Sequence, residues 1–165
     1  MNSKTGKRLA MFCIPALLLA TLTWCLPASA QTAPNFTLKS TDGATVSLDQ
    51  YKGKLPVLIE FFATWCPHCR DMAPELAKLR NTIPPSKLAI LAIDVGNGDS
   101  FEKVKRYKQD ENLPYTILYD KGSKVSQAYG VEGIPYVVLL DKNGAIKYQD
   151  NGLPSNVMAL VTGAQ

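Results

Sequence analysis

The chain has 165 residues, 18 Lys+Arg against 14 Asp+Glu, one His and four Cys, with 46% hydrophobic and 19% charged residues. This is a single-domain length, and the composition excludes a disordered chain and a multi-span membrane protein. The net charge of +4 is misplaced for a nucleic-acid binder: Lys4, Lys7 and Arg8 precede every acid, and setting them aside leaves 15 basic against 14 acidic residues. No basic patch remains to steer a polyanion.

The three N-terminal charges lead into an apolar stretch over residues 9–26, then Pro27 and Ala28-Ser29-Ala30. A charged region, an apolar region and a small-x-small site predict a secretory signal peptide over residues 1–30, with a mature start at Gln31 and an exported, periplasmic product. An uncleaved segment would instead tether the domain to the membrane, since 18 apolar residues border on spanning length. Pro15, Thr21 and Thr23 dilute that stretch. Trp24 stands before Cys25, where a lipid-attachment site wants a small residue. Cys13 and Cys25 fall inside the leader, so the domain at 31–165 keeps Cys66 and Cys69 alone. A chain of that size can bury a core without staples. A bridge across two intervening residues constrains the unfolded chain little. The pair points to reactivity.

Within the domain, residues 31–35 read as a linker. Residues 36–38 and 45–48 alternate around Thr41-Asp42-Gly43, the pattern of a hairpin. Residues 57–62 form a near-continuous apolar run of buried-strand type. A helix follows from Cys66, carrying Met72, Leu76, Leu79 and Ile83 on one face, and Pro84-Pro85 stop it. Residues 88–95 predict a second buried strand. Asp99-x-x-Glu102 has the form of a capping box opening a helix to about residue 109. A short strand over 116–119 and a short helix over 124–129, closed by Gly130, come next. A strand over 136–141 turns at Asn143-Gly144 into a partner over 145–148, and a last helix spans about 156–161. This alternation predicts an α/β sandwich with a central mixed sheet flanked by helices.

The chemistry lies at Trp65-Cys66-Pro67-His68-Cys69. Pro67 suits the first helical position, where its missing N–H is no loss. Cys66 then caps the helix, with its sulfur beside free N–H groups and the positive end of the dipole. A thiolate is favoured there, which makes Cys66 the nucleophile. Cys69, three residues on, shares its face and lies within disulfide reach, placed to resolve a mixed disulfide. A structural zinc site needs four ligands, and two Cys with one His between them fall short. Copper delivery wants a distant His, and the chain has none. A peroxidatic cysteine wants Thr three residues earlier, where Ala63 stands.

At these residues the sequence resembles the thioredoxin superfamily, and more closely its exported TlpA/ResA-like branch. The resemblance rests on Phe61-Phe62-Ala63-Thr64-Trp65-Cys66, on Gly130-Val131-Glu132-Gly133-Ile134-Pro135, and on Asp141-Lys142-Asn143-Gly144. The leading hairpin and the strand–helix segment at 112–129, which this branch inserts before the proline loop, match as well. The resemblance implies a thioredoxin-like fold and a cis Ile134–Pro135 peptide facing Cys66, its backbone free to pair with an extended substrate segment. The order of the intervening pair departs from the branch's W-C-x-P-C, and Pro67-His68 looks like the dipeptide of DsbA-type oxidants. Pro67, His68 and Tyr136 hold places where members serving cytochrome c maturation often carry an acid.

Glu60 interrupts the apolar run six residues before Cys66, where thioredoxins carry a buried acid. Burial would raise its pKa and let it exchange a proton with Cys69; the alternative is a carboxylate reaching solvent or a lysine. Trp65 is read as an aromatic rim beside Cys66, and His68 as a group that tunes the thiolate. Together these readings predict an exported thiol–disulfide oxidoreductase with no metal or organic cofactor. Its substrates would be cysteine-containing exported proteins, and a membrane thiol–disulfide protein would recycle it. The family suggests a reductase and the motif an oxidant. A peroxidase-like redoxin, or a metal- or peptide-binding module with a structural Cys pair, is the alternative.

Overall fold

A computed structural model describes residues 31–162; the leader expected over residues 1–30, with Cys13 and Cys25, lies outside the described residues. The turn at Asp42-Gly43 joins strand β1 (Thr37–Ser40) to β2 (Thr45–Ser47). Gly43 takes φ +90° there, a conformation that costs glycine little. Leu48 leaves the strand to start a 3-10 turn (Leu48–Gln50). The chain then enters β3 (Val57–Phe62), helix α1 (Pro67–Thr82), β4 (Ala89–Asp94), α2 (Phe101–Asp110), β5 (Thr116–Tyr119) and α3 (Lys124–Ala128). It closes with β6 (Tyr136–Leu140), β7 (Ile146–Asp150) and α4 (Val157–Thr162).

β3 and β4 are buried at every position, as apolar runs must be when helices cover a sheet on both faces. They pair in parallel from Val57–Ala89 to Phe62–Asp94, and β5 extends the parallel set beyond β4. β6 runs antiparallel on the other side of β3, with β7 outside it. β1 pairs antiparallel with β5, so the leading hairpin completes one mixed sheet of order β2-β1-β5-β4-β3-β6-β7. The expected sandwich, with its N-terminal hairpin and inserted strand–helix, is the one found.

The pleat of β3 separates the two layers. Phe62 meets Tyr107 of α2, with ring centroids 5.8 Å apart, whereas Phe61 meets Tyr129, after α3, at 5.2 Å. Adjacent residues of a strand face opposite sides, so α2 and α3 cover opposite faces. The crossovers β3–α1–β4 and β4–α2–β5 step the same way across the sheet, and right-handedness puts both helices on one face. α1 buries Cys69, Met72, Ala73, Leu76 and Leu79. Its end is clasped by Arg80, whose guanidinium donates to the carbonyls of Ile83 (2.8 Å) and Leu88 (2.7 Å). Pro74 lies inside α1; its missing N–H leaves the Arg70 carbonyl without a helical donor, a feature the apolar spacing gave no reason to expect.

Three expectations need correction. Residues 31–35 are not a free linker: Thr32 bridges Ala145, Ala33 N–H donates to Gly144 O, and Ile146 N–H donates to Gln31 O. The leading residues are thus stitched to the last hairpin. Asp99 does not cap α2. Ser100 does, its hydroxyl accepting from Lys103 N–H, and the helix starts at Phe101. The strand expected over 145–148 is β7, which runs over Ile146–Asp150, the register shift between Leu139 and Leu140 leaving Lys147 without a partner in the pairing. Asp141 holds that turn by accepting from the backbone N–H groups of Asn143 and Ala145. No helix among the described residues is long and apolar enough to cross a membrane.

Candidate active site

Phe62 ends β3 and Pro67 begins α1, so residues 63–66 must reverse direction within one tight turn. Cys66 N–H donates to Ala63 O at 3.1 Å, closing that turn. Cys66 is the N-cap of α1 in extended conformation, with Pro67 at the first helical position. It is bonded to Cys69 through a disulfide with a Cα–Cα distance of 5.3 Å. Cys69 N–H donates to Cys66 Sγ at 3.2 Å. This contact stands where a capping oxygen would accept, and it strengthens when the sulfur becomes a thiolate. The helix terminus therefore favours negative charge on Cys66 in particular.

Cys66 Sγ also lies 3.7 Å from Ile134 O, a contact that a reduced thiol could turn into a weak hydrogen bond. The Ile134–Pro135 peptide is cis, and Pro135 is buried. Asn151, just past β7, donates from Nδ2 to Pro135 O at 3.0 Å and pins this loop from the far side. Trp65 is 49% exposed. Its indole N–H donates to Asn97 O at 2.8 Å, and Gly98 lies close enough that a Cβ there would sit 3.1 Å from the indole nitrogen. An open groove bounded by Trp65, Asn97, Gln127, Val131 and Ile134 runs along this rim. His68 points to solvent, with Nδ1 3.9 Å from the Asp71 carboxylate.

Glu60 is 2% exposed. It lies opposite Ala92 of β4 and Val137 of β6, on the same face as Phe62 and hence the face that α1 and α2 cover. Its Oε1 has no hydrogen-bond partner among the described residues. It neither reaches solvent nor pairs with a lysine. Burial pushes its pKa up to about 8, so at neutral pH it holds a proton. Its charge, when present, also bears on Tyr107, which burial first and Glu60 second push up to about 12.

Two acids, Asp99, expected as a helix cap, and Asp94, to which the sequence assigned no role, sit beside the same turn. Asp99 accepts from Thr64 N–H at 2.8 Å and Thr64 Oγ1 at 2.6 Å, and pairs with Lys103. Arg70 Nε donates to Thr64 O at 3.1 Å. Thr64, two residues before Cys66, is thereby held at all three of its polar groups. Asp94, fully buried, accepts from Gly96 N–H at 2.9 Å, and its other oxygen meets no N–H or O–H donor among the described residues. An acid closing an apolar run, as Glu60 interrupts one, was the signal available. Asn151 carried none.

Residues 30–149 match the AhpC/TSA family. The chain is 32% identical over 120 residues to the thiol-disulfide oxidoreductase ResA of Geobacillus thermodenitrificans, covering 73% of this chain and 67% of that one. It is 39% identical over 99 residues to the chloroplastic peroxiredoxin Q of Suaeda salsa, covering 59% of this chain and 44% of that one. Against several relatives the chain spans about half of their length. The thioredoxin domain of a thiol-disulfide oxidoreductase from Bacteroides vulgatus superposes with a TM-score of 0.68 at 26% identity, covering 81% of this chain and 98% of that domain. The fold is thioredoxin-like.

Proposed function

The chain belongs to the AhpC/TSA family, on its ResA-like branch, and from that premise we propose that it is an exported thiol–disulfide oxidoreductase acting on cysteine-containing proteins. The observation that carries this reading is the Cys66–Cys69 disulfide at the N-terminus of α1, with Cys69 N–H on the Cys66 sulfur and Ile134 beside it. In the reducing direction, the Cys66 thiolate attacks a substrate disulfide and forms a mixed disulfide as one substrate sulfur leaves as thiolate. In the fraction of molecules in which Glu60 is ionised, Cys69 then gives its proton to that carboxylate and attacks Cys66 Sγ. The second substrate sulfur is released, and the Cys66–Cys69 bond is made. Run backward, the same steps oxidise a dithiol. A substrate segment lies along the groove beside Trp65 and Ile134, where backbone pairing is open to it. Export rests on the leader at residues 1–30. A membrane thiol–disulfide protein resets the pair, and no metal or organic cofactor takes part.

The match to peroxiredoxin Q favours a second reading, a peroxidase. Against it stands Ala63 in the place of a peroxidatic threonine. The neighbouring Thr64 hydroxyl is committed to Asp99. The deciding experiment supplies the reduced protein with either a disulfide-bonded protein or hydrogen peroxide. Rapid reduction of the protein disulfide supports the exchange reading. Turnover of peroxide alone overturns it.

The position of His68 limits what it does to the direction of electron flow. Its side chain is 84% exposed and lies beside Asp71, so water and a counter-charge screen it. An exposed interaction of under ~1 kcal/mol corresponds to no more than ~20 mV for this couple. His68→Pro is therefore expected to make the pair more reducing by at most ~20 mV in a glutathione equilibrium titration. A shift of twice that size, or toward a stronger oxidant, would contradict the assignment.

A further inference from the structure

Behind the nucleophile's turn, Phe62 and Asp94 stand in register on adjacent parallel strands and therefore point to one face. Asp94 there meets the Asp99 carboxyl, and two carboxylates in one site cannot both ionise cheaply. Asp99 has the stronger claim to the charge. Although burial opposes it, Lys103 and the two Thr64 donors hold its pKa below the usual carboxylate range. Among the described residues Asp94 has one donor, Gly96 N–H, and its second oxygen is buried without another. The proton of the pair belongs on Asp94, where it can be given to Asp99 as a hydrogen bond.

We propose that Asp94 and Asp99 form a proton-dependent clamp on the active-site turn. With Asp94 protonated, Asp99 grips Thr64 and fixes the segment carrying Trp65 and Cys66; with Asp94 ionised, repulsion between the carboxylates loosens that grip. Asp94 and Asp99 are positioning residues, since neither meets the sulfurs in any contact found. Asp94 is also linked to Trp65 through the backbone. Gly96, bonded to Asp94, belongs to the loop whose Asn97 carbonyl receives the indole N–H.

Other charged groups face this pair and set its response. Lys103 from α2 favours ionisation, and Arg70 from α1 acts through Thr64 O. From β5, Tyr119 is in register with Asp94 and donates to Asp99 O, while Asp120 spends its carboxylate on Ser126 and the backbone of Val125. Glu60 shares the face from β3, diagonal to Asp94, and Tyr107 lies over Phe62. Among the described residues Glu60 is the one other buried carboxyl on that face, so the test must separate it from Asp94. Burial first, and then Asp99, push the Asp94 pKa up to about 8.

The experiment follows Trp65 fluorescence from pH 6 to 9 in the disulfide form of the protein, in a Trp24→Phe background, where neither Cys66 nor Cys69 titrates. No substrate is present, so its failure is distinguishable from failure of the exchange reading. The parent is expected to show a one-proton transition that is lost in Asp94→Asn and kept in Glu60→Gln. Asp99→Asn removes the carboxylate that repels ionised Asp94, so the transition should be lost there as well; this arm decides the matter if Asp94→Asn does not fold. No transition in the parent, its survival in Asp94→Asn or in Asp99→Asn, or its loss in Glu60→Gln would each overturn the clamp.

Discussion

Cys66→Ser is expected to reduce disulfide exchange to the uncatalysed background, while Cys69→Ser keeps the first chemical step and stalls at the second. The asymmetry follows from the helix terminus. Cys66 occupies the cap, receives Cys69 N–H, and borders the Ile134 loop. Cys69 is the third residue of α1, 2% exposed, on the inner stripe with Met72 and Leu76. A hydroxyl at position 66 remains protonated at neutral pH and cannot replace the thiolate. With Cys69 replaced, the mixed disulfide through Cys66 has no internal thiol to release it, so it should accumulate and be visible by mass spectrometry. Mixed disulfides captured through position 69 in Cys66→Ser, at the rate of the parent, would reverse the two roles.

The second large effect concerns Glu60 and stability. A buried carboxyl whose pKa stands at about 8 rather than 4.5 binds its proton more tightly in the folded chain than in the unfolded one. Its stabilising contribution is complete below pH 4.5, the unfolded value. It is lost progressively as pH rises through the folded value. The 3.5-unit difference between those two figures corresponds to about 5 kcal/mol at most. Glu60→Gln, neutral and of the same shape, should therefore be more stable than the parent at pH 9 by up to that amount, with a smaller advantage at pH 6. Denaturant unfolding of the disulfide forms at the two pH values measures it. The same variant cannot take the proton from Cys69, so substrate release should slow more than initial attack, and the pH dependence of release near neutrality should flatten. Equal stability gaps at both pH values, with unchanged release, would leave Glu60 a packing residue. Asp94 lies on the same face with its pKa also raised, so Glu60→Gln retains part of the parent's pH slope.

What could be read from the residues was local. Cys66 as cap, Pro67 after it, and the stripe Met72–Leu76–Leu79 follow from helix chemistry over a few positions, and the structure repeats them. Glu60 announced itself as a charge inside an apolar strand. What could not be read depended on contacts across many residues. Asp99 looked like a cap because its spacing to Glu102 fits one, yet its carboxylate reaches Thr64, 35 positions earlier. Ser100 stands one residue later and does the capping instead. Asp94 passed for an ordinary end of strand, since nothing local records that residues 95–99 fold back over the turn at 63–65. Residues 31–35 carry no periodicity, and only the final hairpin, more than 100 positions on, reveals their pairing. Asn151 is a polar residue at a strand end until the loop around Pro135 is set beside it.

The claim on which the rest depends is that the N-terminus of α1 makes Cys66 the thiolate. The direct measurement is alkylation of the fully reduced protein across pH 5–10, with the rate at each cysteine followed separately by mass spectrometry. The geometry requires Cys66 to react first and to titrate below the free-thiol value of ~8.5, with Cys69 slower throughout. Faster modification of Cys69, or a Cys66 profile with its midpoint at or above ~8.5, would contradict it.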